Sequence, residues 1–115
     1  MGKSKGERLM DSKTETDILN EIRLKTADIA QLFRINVVSG KTVDGRFISS
    51  GVPPGYSDLS GHRKSDGRAI YLEVKTPTGK ASAEQLNFIK QMQATGAIAG
   101  IVRSVEDAKT LINAF

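Results

Sequence analysis

Cysteine is absent from the 115 residues, and histidine occurs once, as His62. The first absence excludes disulfides, thiolate metal sites and cysteine nucleophiles, and the second excludes a multi-histidine metal site within one chain. Any metal is therefore held mainly by oxygen, which favours Mg²⁺, Mn²⁺ or Ca²⁺ over zinc. Aromatic residues are scarce, at 5%. No run approaches the roughly 18 consecutive apolar residues that a membrane span needs. The N-terminus Met1-Gly2-Lys3-Ser4-Lys5-Gly6 has basic residues with no apolar stretch after them, unlike a secretory leader. Gly6 also stands where a myristoylation pattern wants Ser or Thr. A cytoplasmic location is expected.

What is present fits one soluble domain with a single modest core: 38% apolar and 26% charged residues in a chain of this length. The net charge of +4 leans toward a polyanionic partner, though many small basic proteins bind no nucleic acid. Residues 1–13 are polar, rich in Lys, Gly and Ser, and read as a mobile basic arm ahead of a domain at 14–115.

From Thr14 the spacing predicts a helix, with Thr14 and Asp17 placed as a capping box and Leu19, Ile22, Ile29 and Phe33 forming an apolar stripe whose gap Thr26 fills. Glu21 lies just off this stripe. It suits either a surface pair with Lys25 at i,i+4 or a carboxylate aimed into a neighbouring cleft. Strands are expected at 34–39 and 43–48, joined through an Asp44-Gly45 turn. Arg34, Lys41 and Arg46 fall in or beside this hairpin, where they are simply solvated or meet phosphates.

Gly51-Val52-Pro53-Pro54-Gly55 is a strongly punctuated loop that ends just before Asp58. Strands near 57–62 and 69–75 follow, connected by a Ser65-Asp66-Gly67 turn, and then a loop through Lys80. Ser82 and Gln85 form a second capping box opening a helix that stops at Gly96. Residues 97–102 are continuously apolar, as in a strand covered on both faces, and Ser104 caps a last helix. The order α-β-β-β-β-α-β-α predicts an α/β fold, a mixed β-sheet flanked by helices.

The chemistry centres on Ile70-Tyr71-Leu72-Glu73-Val74-Lys75. On a pleated strand Glu73 and Lys75 share a face about 6.6–6.8 Å apart, while Ile70, Leu72 and Val74 face the other way. The preceding turn brings Asp58 alongside. Asp58 and Glu73 would bind Mg²⁺ with the Val74 carbonyl as a further ligand, and Lys75 would orient a water or offset charge on a phosphate. A Glu-X-Lys tripeptide alone is more often decoration on a half-exposed strand.

The order of parts changes that weighting. Gly55-Tyr56-Ser57-Asp58, then Glu73-Val74-Lys75, then Ser82-Ala83-Glu84-Gln85-Leu86, then Gly96 and Val102-Arg103-Ser104-Val105-Glu106-Asp107-Ala108 together resemble the VRR-NUC (virus-type replication-repair nuclease) domain of the PD-(D/E)XK nuclease superfamily. The resemblance runs from about Thr16 to Phe115 and implies a restriction-endonuclease-like core. It implies that Asp58 is the motif aspartate, Glu73 and Lys75 the catalytic pair, Glu21 the helix-borne acid near the metal, and Gln85 a glutamine at the edge of the site. Ser57 stands where the superfamily name has proline, and Gln85 has its capping role as a competitor.

The resemblance further implies a Mg²⁺-dependent DNA endonuclease, with Mn²⁺ as substitute. Arg34, Lys41, Arg46 and Lys80 would contact the DNA. Stand-alone members resemble phage-type, junction-resolving homodimers that act on branched DNA such as Holliday junctions in DNA repair; a phage origin would place the protein in the cytoplasm of a bacterial host. The alternative is a DNA-binding or assembly module that keeps the fold without cleaving. The complete acid-acid-lysine set argues against that alternative.

Overall fold

The computed structural model describes residues 13–36, 39–41, 45, 47–49 and 51–115, with backbone alone at 39–41 and 47–49. Helix α1 spans Glu15–Lys25 and opens on the expected box: the Thr14 hydroxyl accepts from the Asp17 N–H, and the Asp17 carboxylate accepts from the Thr14 N–H. It ends earlier than the apolar stripe predicts. Thr26 is fully buried, and both its hydroxyl (2.6 Å) and its N–H (3.0 Å) donate to the Ile22 carbonyl, closing the last turn. Ile29 therefore falls in the turn that follows, and Phe33 on a strand.

That strand, β1, is Ala30–Arg34, so the segment expected from Arg34 onward begins four residues sooner. The hairpin expected around Asp44-Gly45 is a separate two-stranded ribbon of β2 (Ser39–Lys41) and β3 (Phe47–Ser49). Gly45 has φ +87°, as a tight hairpin turn needs. Asp44, Arg46, the Lys41 side chain and residues 1–12 of the arm lie outside the described residues.

The main sheet has the order β1-β4-β5-β6, with β4 at Leu59–Arg63, β5 at Ala69–Val74 and β6 at Ile98–Val102. β4 runs antiparallel to both β1 and β5, and β6 is parallel to β5. Helix α2 (Ala83–Ala94) makes the β5–β6 crossover that a parallel pair requires, and α3 (Val105–Asn113) follows β6. The sheet is mixed and flanked by helices, as the order of elements predicts.

The core lies between one sheet face and helices α1 and α3. Ile70, Leu72 and Val74 of β5, Leu59 of β4 and Ile98 of β6 are fully buried there against Ile18, Leu19, Ile22, Ala108 and Ile112. On the opposite face Phe88 of α2 packs on Tyr71 (ring centroids 5.6 Å) and Tyr56 (4.8 Å). The second face is where Glu73 and Lys75 project. Strand β5, interior to the sheet and buried over most of its length, is thus the rigid element from which the acidic side chain extends.

Candidate active site

Asp58 sits one residue before β4, beside the end of the β4–β5 ladder, whose last pair is Leu59 with Leu72. Its carboxylate accepts from the Val74 N–H (2.9 Å), so a side chain serves where the next strand carbonyl would be and is held against Glu73. The approach is equally fixed. Pro53 through Tyr56 forms a turn closed by Tyr56 N–H to the Pro53 carbonyl (3.2 Å), with Gly55 at φ +83°, the geometry of a type II turn with proline second and glycine third. A Cβ at Gly55 would meet the Glu84 backbone carbonyl in the first turn of α2. Ser57 is fully buried and donates to the Leu59 carbonyl (3.0 Å), which sets the backbone before Asp58 in place of proline.

Glu73 is 1% exposed. Its Oε1 accepts from the Gln85 side-chain amide (2.9 Å) and lies 3.6 Å from Lys75 Nζ; its Oε2 is buried with no hydrogen-bond partner among the described residues. Gln85 does both things expected of it: its carbonyl accepts from the Ser82 N–H (2.9 Å) to complete the cap, and its NH₂ donates to Glu73. Lys75 Nζ also lies 3.6 Å from Glu15 Oε1, and its side chain is only 13% exposed.

Burial, and then the neighbouring charge of Asp58, push the Glu73 carboxyl up to about 8; Lys75 opposes the shift. A buried carboxylate with an orphan oxygen facing a second acid is unstable without a cation. The residues fit a divalent metal. One oxygen each from Glu15, Asp58 and Glu73 lie within 4.8 Å of one another. Octahedral bonds of about 2.0–2.1 Å place ligand oxygens about 2.9 Å apart when adjacent and about 4.2 Å when opposite, so small side-chain adjustments suffice.

The helix acid in this group is Glu15, in the first turn of α1, and not Glu21. A spacing signal existed: Glu15, Ile18, Leu19 and Ile22 follow i, i+3, i+4, i+7, so Glu15 extends the buried stripe of α1. Glu21 lies elsewhere. It pairs with Lys13 (2.9 Å) and lines a cavity of about 340 Å³ with Ile18, Pro77, Arg103 and Val105. Val74 has its side chain in the core and its N–H on Asp58. Arg34 is exposed at the end of β1, where the next residue's N–H bonds the Asp58 carbonyl (2.8 Å), and Lys80 is exposed in the loop after β5. His62 is an exposed strand residue opposite Gln31 and Ala69.

A mixed sheet flanked by helices, with two acids and a lysine gathered at the carboxyl end of an interior strand, defines a nuclease-type domain of the PD-(D/E)XK class. The chain belongs to the VRR-NUC domain family, which matches residues 5–106. A solved VRR_NUC domain is similar over 90% of this chain and 99% of its own length, with a TM-score of 0.61 and 19% identity. At that identity the likeness carries the fold. No curated protein matches the chain.

Proposed function

We propose that the protein is a Mg²⁺- or Mn²⁺-dependent endonuclease that hydrolyses DNA phosphodiesters, selective for branched DNA such as Holliday junctions and acting as a homodimer. The observation that carries the reading is the buried Glu73 carboxylate, whose orphan oxygen lies with Asp58 and Glu15 and beside Lys75. Glu15, Asp58 and Glu73 would hold the metal, with the Val74 carbonyl as a further candidate. When bound, the cation supplies the positive charge that activates water and polarises the phosphate.

The chain's own residues do the rest. Asp58 is fixed by the Val74 N–H and Glu73 by Gln85, so neither acid must reorganise during the reaction. Lys75, with its stem half-buried, keeps its ammonium beside both Glu73 and Glu15 and donates to the attacking water or to a phosphate oxygen. Arg34 and Lys80 contact the DNA backbone, together with Lys41 and Arg46. A two-fold dimer would present two such sites to the two strands of a junction, which one small domain does not do alone.

Lys75→Ala tests the mechanism directly. Cleavage of a four-way junction in Mg²⁺ should fall by about 100-fold or more, the loss typical of removing a donor aimed at developing charge, while DNA binding persists. A rate within a few-fold of wild type would sink the assignment. Comparing junction, flap and linear duplex as substrates tests the selectivity, and sedimentation of the free protein tests the dimer.

A further inference from the structure

We infer that Arg103 is a positioning residue for the proposed cleavage: it locks the loop between Lys75 and the capping box of α2, and so holds the lysine and Gln85 in one arrangement. This rests on the nuclease reading of the site. Lys75 and Arg103 are neighbours across the β5–β6 ladder, which continues one step past the strands through the Lys75 N–H and the Val102 carbonyl (3.0 Å). From there one guanidinium nitrogen, Nη1, donates to the carbonyls of Thr76 (2.5 Å) and Gly79 (2.7 Å). The same loop is closed on itself by the Gly79 N–H to the Thr76 carbonyl (3.1 Å), with Pro77 setting the second position.

This loop has Lys75 at one end and Ser82, the N-cap whose N–H Gln85 accepts from, at the other. Beyond its ends it has little apolar anchorage: Pro77, Thr78 and Lys80 are exposed. The two carbonyl bonds from Arg103 are therefore its principal tie to the sheet among the described residues. Arg103 touches none of the acids in the proposed site. Its effect passes through Lys75 at one end and through the Gln85–Glu73 bond at the other. Lysine would be a poorer replacement, because an ammonium turning freely on a flexible stem lacks the planar guanidinium that fixes the direction of the two Nη1 donors.

Amide hydrogen exchange and steady-state cleavage, measured on the same purified wild-type, Arg103→Lys and Arg103→Ala proteins, test the inference. Exchange at 76–82 should be faster in both variants, with the helices and β5 still protected. kcat should fall by about 10- to 100-fold in Arg103→Ala, as expected for misplaced reacting groups, with KM for junction DNA within about two-fold of wild type. Arg103→Lys should fall between the two. Millimolar guanidinium should partly restore Arg103→Ala and leave Lys75→Ala inactive.

Unchanged loop exchange, or faster exchange with unchanged kcat, would overturn the inference. So would a loss confined to KM, which would make Arg103 a phosphate contact instead. If Arg103→Ala is globally unprotected, Arg103→Lys decides by the same criteria. A wild-type chain that cleaves no DNA would overturn the nuclease reading and the positioning role with it, and the exchange data would still report whether Arg103 holds the loop.

Discussion

At the scale of single residues, Glu73 carries the most tension. Its carboxyl, raised from 4.5 to about 8, leaves the folded chain holding more protons than the unfolded chain between those values. Stability of the metal-free protein must therefore fall as pH rises from about 4.5 to about 8. Glu73→Gln removes the titration and keeps the size. In a chelator-treated sample its melting temperature should be higher than wild type at pH 8, by several degrees for each kcal/mol regained, and the gap should close near pH 5. Mg²⁺ should raise the wild-type melting temperature at pH 8 and leave Glu73→Gln nearly unmoved. Parallel pH profiles for the two proteins would refute this account of the buried acid.

At this scale the grouping of Asp58, Glu73 and Lys75 is legible from strand alternation and the turn at 65–67, while the place of Gln85 beside them comes from the family resemblance. The grouping of the first three depends on short-range rules. Glu15 was harder to see, because its contacts come from α1 crossing the sheet near residues more than forty positions away. First-turn acids are also common for reasons of the helix dipole alone. Glu21, the helix acid that the family resemblance favours, pairs instead with Lys13 and lines a cavity with Pro77 and Arg103. Arg103 gave no local signal, since its partners are backbone carbonyls on another loop.

Among the elements, the turn at 53–56 joins two parts of the site. It delivers Asp58 to β4 and packs its glycine against the start of α2, which bears Gln85. Gly55→Ala combines an unfavourable positive φ with a collision against the Glu84 carbonyl. A loss of about 1–3 kcal/mol in chemical denaturation is expected, with cleavage falling further than the unfolded fraction accounts for. Wild-type stability in this variant would mean that the turn and helix separate without strain. The Pro-Pro-Gly run announced a rigid turn from sequence, but not what the turn leans on.

Helix α1 shows the opposite case. Helical spacing continues past Lys25 in the sequence, yet Thr26 closes the turn through the Ile22 carbonyl, leaving Ile29 in the turn and Phe33 on a strand. Period alone does not tell a helix that continues from one that hands its apolar face to the next element. The helices that follow Ser82 and Ser104 are legible because chemical marks bound them: a hydroxyl cap at the start of each, and for α2 a glycine with positive φ after the end.

For the whole molecule, a net charge of +4 with Arg34 and Lys80 exposed predicts that the proposed DNA binding has a large electrostatic part. The logarithm of the binding constant should fall linearly with the logarithm of salt, by about 0.9 per phosphate neutralised on duplex DNA. Arg34→Ala and Lys80→Ala should each flatten that slope by about 1 and weaken junction and linear duplex alike. A slope indifferent to both changes would remove these two residues from the interface. Charge and composition alone left many partners open; the order of motifs along the chain narrowed them, and the sheet gave those motifs a common place.

The bond from the Val74 N–H to the Asp58 carboxylate makes the peptide repeat the ruler of the site. Distance between the two acids is then indexed to strand registration, and the hairpin tip at 65–67 is free of that duty. The tip is an exposed turn on the far side of the β4–β5 pair, braced by the Asp66 carboxylate on Arg63, so a label on the exposed Ser65 leaves the acids their spacing. One residue added between Asp58 and Leu59 would do the reverse, turning the carboxylate to the other face of the sheet without removing an atom from the chain.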